Sequence, residues 1–376
     1  MILALFSIKI NKFRTFTLIF LHMCEKSSTF APKFGSMDHD TWQWQKPGMA
    51  WRGVGLYHIT LTVPDRQPLL GKLNIPDNDP AKAYLDRTPF GNALIDAMFH
   101  TQSYHREIQI LHFALMPNHL HAIWYVRHTM QKGIASVAQS FLRAAKKLGR
   151  AYSYGDLAAS KTLFATIGKD AYYALPPIFT KMPHIQPMGH NSQLPATITY
   201  LDMNPQRLAT MIVKPGFFRV QPNIEINDRV YTGVGNTRLL HLVRREPVHV
   251  RHKMTEQARL GNNQPLRDYM NGCVLAARQG AVMVSPFISS CEKDVLAVLL
   301  KEKRNIIYIS KNGFRDYYKP SDLLFDAVAE GRLLILSPWE YDPNKKHVTR
   351  PDCIAMNTMA EEICAAKEPL SAIPEA

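Results

Sequence analysis

Between Ile110 and Arg127 the chain reads ILHFALMPNHLHAIWYVR, two apolar, β-rich runs interrupted at Met116-Pro117-Asn118. This pattern predicts two strands. Residues i and i+2 of a strand share a face, so His119 and His121 stand side by side, with Leu120 and Ala122 on the other side. Upstream, Leu56–Val63 (LYHITLTV) alternates as a strand that ends at Pro64, and residues 65–90 read as loop. Leu94, Ala97, Met98 and Thr101 fall at helical spacing and predict a helix over Gly91–Tyr104. A second helix is predicted over Ile134–Arg150. Its apolar stripe is Val137, Phe141, Ala144, Ala145 and Leu148, and its other face carries Arg143, Lys146, Lys147 and Arg150. Residues 151–194, with Pro176, Pro177, Pro183 and Pro187, read as irregular. Pro195–Val213 then predicts a helix begun by Ser192 or Pro195 and kinked or restarted at Pro205. The order predicts an α+β fold, an antiparallel sheet with helices packed on one face.

The periodic signal weakens after residue 225, and 226–267 reads as a connector. From Asp268 the pattern changes. Continuous apolar runs at 281–287, 305–310 and 333–339 alternate with helices at 268–280, 291–303, 321–330 and 349–366. Apolar strands alternating with helices predict a parallel sheet covered on both faces, an α/β domain. The expected organisation is thus a lead-in over 1–52, an α+β domain over 53–225, a connector over 226–267 and an α/β domain over 268–376.

Charge adds a direction to this picture. The chain carries a net charge of +14, and residues 101–253 hold 19 Lys and Arg against 7 Asp and Glu, a net +12. Residues 254–376 hold 15 against 16, a net −1. A basic segment around the histidine pair fits a polyanionic partner such as nucleic acid, and a solvated basic face is the alternative. The five cysteines contain no CxxC pair, so neither a disulfide framework nor a cysteine zinc site is expected, and a reducing cytoplasm fits best. Lys9, Lys12 and Arg14 interrupt the apolar N-terminal runs, leaving no stretch of about 18–20 apolar residues for a membrane span. Residues 1–36 are expected to be an upstream extension or an unstructured tail, with Met37 a more natural start.

Two imidazoles on one strand face are what a divalent metal takes from a rigid scaffold, although histidines in that pattern also serve as core or surface residues. Downstream, Tyr200 and Asn204 lie four apart and share a helix face, while Asp202 falls off it. A histidine pair, an oxygen ligand, a phenolic hydroxyl and basic surroundings together fit phosphoryl transfer with tyrosine as nucleophile. The competing readings are a tyrosine that packs helix against sheet and an asparagine that caps the restarted turn. Trp124 and Tyr125 are stacking candidates for single strands, with burial in the core as the other reading.

Three segments, LYHITLT (56–62), MPNHLHAIW (116–124) and YLDMNPQR (200–207), together resemble the REP-associated tyrosine transposases, single-tyrosine transposases of the HUH type. The resemblance covers about residues 53–225. It implies an RRM/ferredoxin-like antiparallel sheet, Mg²⁺ or Mn²⁺ held by His119, His121 and Asn204, and Tyr200 as the nucleophile forming a 5′-phosphotyrosine link. It also implies a single-stranded or hairpin DNA substrate, with Arg143, Lys146, Lys147, Arg150 and Arg207 as DNA contacts. No membrane partner is expected, and a homodimer is left open. Gln206 and Ala209 depart from the family pattern, which has a small apolar residue and a glycine near those places. A domesticated hairpin-DNA-binding protein with weak or no cutting is the alternative function, and a zinc or manganese hydrolase that does not use Tyr200 is a third. The C-terminal part resembles, through VSPF (284–287) and its alternating layout, the Rossmann-like fold of bacterial DNA-processing proteins. It has no GxGxxG or GxxxxGK[ST] motif, so no nucleotide is assigned. Ser285, Ser289 and Ser290 are placed either to cap the next helix or to hold a phosphate at its N-terminus.

Overall fold

The computed structural model describes residues 52–154, 168, 178–180, 182–189, 193–316, 318–345 and 347–366. The expectations for residues 1–51, and for Ser192 as a helix start, lie outside these. The described residues divide between Arg207 and Leu208 into two compact units.

The first unit is built on a four-stranded antiparallel sheet of β1 (Gly55–Thr62), β4 (Ile108–Met116), β5 (His119–Val126) and β6 (His184–Pro187), in the order β4-β5-β1-β6. Between β1 and β4 come a small antiparallel pair, β2 (Gly71–Asn74) and β3 (Tyr84–Arg87), and helix α1 (Pro89–Tyr104). Residues 65–90 were expected to be loop and are partly strand. Four-residue strands with exposed or half-exposed side chains leave too short an alternation to detect. Thr88 caps α1 by accepting from the Gly91 N–H at 3.0 Å. Gly91 is required there, because a Cβ would lie 2.1 Å from the Leu70 carbonyl oxygen.

One sheet face is the main core. Tyr57, Ile59 and Leu61 of β1 and Leu120, Ala122, Trp124 and Val126 of β5 are buried against α1 and α2 (Ile134–Tyr154). Trp124 is therefore a core residue and Tyr125 is half-buried. In α2, Val137, Ala138, Phe141, Leu142 and Ala145 are buried while Ala144 is exposed, so the apolar stripe is turned by one position from the expected one. β4 bulges between Ile110 and His112.

The expectation of helices on one face is corrected. Helix α3 (Gln193–Asp202) lies on the other side, where Leu201 is buried with Ile123 and Met188, and Leu194, Ile198, Leu111 and Ala114 are half-buried around them. Leu194, Ile198 and Leu201 repeat at helical spacing, and that stripe docks α3. The chain breaks at Met203 and restarts as α4 (Asn204–Val213), as Pro205 predicts. Strand β6 falls within the stretch expected to be irregular. The structure is mixed, with an antiparallel sheet in this unit and a mixed sheet with parallel strands in the other.

The second unit continues through α5 (Pro215–Phe218), β7 (Gln221–Ile226), β8 (Arg229–Gly235), β9 (Arg245–Pro247), α6 (His252–Arg259), α7 (Gln264–Arg278), β10 (Val282–Ser285), α8 (Ser290–Lys301), β11 (Ile306–Ile309), α9 (Asp322–Ala329), β12 (Leu333–Ser337) and α10 (Arg350–Ala365). Its sheet runs β7-β8-β12-β11-β10-β9. β9 to β12 are parallel, and β8 joins β12 antiparallel, as does β7 with β8. Two corrections follow. The sheet is mixed instead of purely parallel, and the stretch 226–267 holds strands of this sheet where a connector was expected. Only Ile224, Ile226 and Tyr231 turn inward from β7 and the start of β8, with polar residues between them, so the apolar signal was thin. Met283, Ile306, Leu333 and Ile335 face α7, α8 and α9, while Val282, Val284, Ile307, Leu334 and Leu336 face α10. Both faces are covered, as continuous apolar strands require.

Candidate active site

The hairpin joining β4 to β5 turns through Pro117 and Asn118, and both turn carbonyls are held. Leu70 donates to the Pro117 oxygen and Val63 to the Asn118 oxygen, each at 2.9 Å. The first residue after the turn is His119. Antiparallel register then sets who faces whom: Thr62 is opposite His119, Thr60 opposite His121, and His184 opposite Thr60 from the other side. Partners directly opposite share a face, so His58, Thr60, His119, His121 and His184 all lie on the α3 side of the sheet.

The expected histidine pair is in place. The rings of His119 and His121 are 4.7 Å apart, edge to face. Asn118 Nδ2 donates to the Arg66 carbonyl at 3.1 Å, so its amide oxygen points the other way, 2.6 Å from His119 Nδ1. An amide oxygen only accepts. His119 therefore carries its proton on Nδ1 and its lone pair on Nε2. His121 is buried, with Nδ1 2.9 Å from Thr60 Oγ1 and 3.0 Å from His58 Nε2. Burial first, and the neighbouring His184 second, lower the pKa of His58 and favour its neutral ring.

Helix α3 brings Tyr200 to this cluster, with its ring 6.0 Å from that of His121. Arg207, expected as a DNA contact, is 8% exposed, with its guanidinium 5.6 Å from the centre of the Tyr200 ring. Asn204 begins α4 and is 2% exposed. Asp202 turns away, as its spacing implied, and pairs with His112 of β4, Oδ1 to Nε2 at 2.8 Å. Arg143 and Lys147 are exposed along α2, with Lys146 and Arg150 half-exposed. Among the described residues no group of three or more His, Cys, Asp and Glu side chains is arranged to hold a metal ion.

Sequence reasoning missed His58, Thr60, Asn118, His184 and His112. The signal for His58 and Thr60 was present in YHIT, whose alternate residues must share a face, but placing that face over His121 needs the strand register. In the second unit the phosphate reading of Ser285, Ser289 and Ser290 gives way to capping. Ser289 caps α8 reciprocally with Glu292, and the buried Glu292 carboxylate accepts from the N–H groups of Val250, Ile288 and Ser289. The helix terminus is filled by the chain's own anion. Ser285 Oγ donates to the Val248 carbonyl at 2.6 Å and accepts from the Phe287 N–H. Cys273, Cys291, Cys353 and Cys364 form no disulfide. No described helix is long and apolar enough to cross a membrane.

No protein-family model matches this chain, and no curated protein does. A solved structure of a REP-associated tyrosine transposase bound to a REP hairpin aligns with 14% identity and a TM-score of 0.27, covering 42% of this chain and 68% of that one. A superposition that loose fixes neither fold nor activity.

Proposed function

We propose that the first unit is a metal-dependent tyrosine transposase that cleaves and rejoins single-stranded, hairpin-forming DNA. The observation that supports this reading is the Tyr200 ring 6.0 Å from that of His121, itself edge-to-face with His119, on a helix packed against the sheet face opposite the main core. The motif resemblance implies an RRM-like framework for this unit and a Rossmann-like one for the second, and the sheet orders are compatible with both.

The residues present suit a hard divalent ion in part. His119, His121 and Asn204 would hold Mg²⁺ or Mn²⁺, which when bound would polarise the scissile phosphate as a Lewis acid. The rest is work for the chain's own side chains. Tyr200 Oη attacks phosphorus and loses its proton. The P–O bond to the 3′ oxygen breaks, and that oxygen leaves as a 3′-hydroxyl, having gained a proton. The 5′-phosphotyrosine ester conserves the bond energy, so a 3′-hydroxyl from another strand can reverse the step and rejoin DNA. The Arg207 guanidinium over the ring face favours negative charge developing on the phenol oxygen. Arg143, Lys146, Lys147 and Arg150 along α2 would follow the DNA backbone.

The test is incubation of the full chain with labelled hairpin DNA and Mn²⁺ or Mg²⁺, followed by denaturing electrophoresis. The expected result is a covalent protein–DNA adduct that disappears in Tyr200→Phe. DNA bound but never cut would replace this reading with a hairpin-binding protein. Cleavage that survives Tyr200→Phe would replace it with a hydrolase.

A further inference from the structure

His121 Nδ1 has two polar neighbours at hydrogen-bond distance, Thr60 Oγ1 at 2.9 Å and His58 Nε2 at 3.0 Å. The contact is built in. Thr60 is the register partner of His121, His58 precedes it by two residues on the same strand face, and the His58 ring is tilted against His121 with centroids 4.9 Å apart. A neutral imidazole nitrogen holds either one proton or one in-plane lone pair. Two donors converging on a single lone pair make a poor arrangement. One N–H shared between two acceptors is a common three-centre bond. A threonine hydroxyl and a neutral histidine nitrogen both qualify as acceptors.

We propose that His58 and Thr60 are positioning residues that hold the proton of His121 on Nδ1 and so present its Nε2 lone pair beside that of His119. The assignment of Nε2 as a metal ligand rests on the function proposed above; the tautomer itself does not. The two histidines then have separate supports, Asn118 for His119 and the β1 pair for His121, and neither ring is free to turn its proton toward the ligand position. Outer partners of this kind are typically worth about 10–100-fold in metal affinity.

The experiment is long-range ¹⁵N–¹H correlation of the histidine rings in the full chain at a pH well above the imidazole range, with Mn²⁺ binding measured in parallel. His121 is expected to show a protonated Nδ1 and an unprotonated Nε2. In a His58→Phe, Thr60→Val double variant that signature should become mixed, and Mn²⁺ affinity should fall by about 10–100-fold. Thr60→Ser, which keeps the hydroxyl, should retain both. A wild-type His121 protonated on Nε2 overturns the proposal. So does a Thr60→Val or double variant, folded by circular dichroism, that keeps the wild-type tautomer and affinity. If wild-type His121 has the proposed tautomer and Mn²⁺ does not bind, the positioning is supported and the metal reading of the site fails on its own.

Discussion

A half-buried histidine beside another imidazole resists charging, and His58 is in that position. Burial, with His184 contributing less, lowers its pKa, while an unfolded histidine titrates near about 6.5. As pH falls, the unfolded chain takes up this proton before the folded one does. The stability tied to His58 is therefore complete above about 6.5, and it drains away as pH falls from there through the lower folded value. Denaturant midpoints of the metal-free protein are expected to drop across that window, and the drop should be smaller in His58→Gln. Identical pH profiles for the two proteins would count against the assignment. His119 and His121 were legible because neighbours two apart on a strand need no partner to define their face. His58 depends on which strand pairs with β5 and in what register, and that information resides in the assembled sheet.

Among the described residues, helix α3 packs on the sheet through a small apolar cluster. Its apolar contact centres on Leu201, Ile123 and Met188, supplemented by the His112–Asp202 pair, whose side chains are 21% and 61% exposed. An exposed pair of this type contributes about 0.2–1 kcal/mol. Against so small a contact that is enough to change how often the helix lifts. A double-mutant cycle with His112→Ala and Asp202→Ala should give a coupling energy of about that size. Amide exchange over 193–202 should quicken in each single variant, while exchange in α1 and α2 stays as it was. Uniform acceleration across the unit would show instead that the pair supports the fold as a whole. The breaks in the elements were easy to read, since Pro205 splits the helix and Pro117-Asn118 turns the hairpin. The face on which α3 docks was not. Its stripe of Leu194, Ile198 and Leu201 states that the helix has a buried side without stating which side of the sheet receives it.

Each unit has its own core, and the second titrates on the alkaline side. Burial pushes Tyr231, Tyr269 and Tyr318 up to about 12, against an ordinary value of 10.0. An acid whose folded pKa is raised contributes stability that is whole below the unfolded value and is lost as pH climbs through the folded one. The second unit is expected to hold to about pH 10 and to unfold as pH rises toward 12, with tyrosinate absorbance and loss of ellipticity appearing together. Phenolate absorbance that rises fully while ellipticity is unchanged would show that these rings ionise in place. At this scale the parallel core was legible from its apolar runs. The antiparallel edge of β7 and β8 was not, because edge strands expose alternate residues and mimic a polar linker.

The bulge in β4 has a consequence for how the site is encoded. Ahead of it, Ile108 and Ile110 point into the main core; beyond it, Phe113 and Leu115 do. One extra residue thus changes the parity of the strand, a frameshift written in three dimensions instead of in codons. Loss of Leu111 alone would restore strict alternation and leave His112 beside Asp202 and Phe113 in the core. Strict alternation with every residue kept would instead send His112 inward, turn Phe113 out over the histidines and leave Asp202 facing a benzene ring.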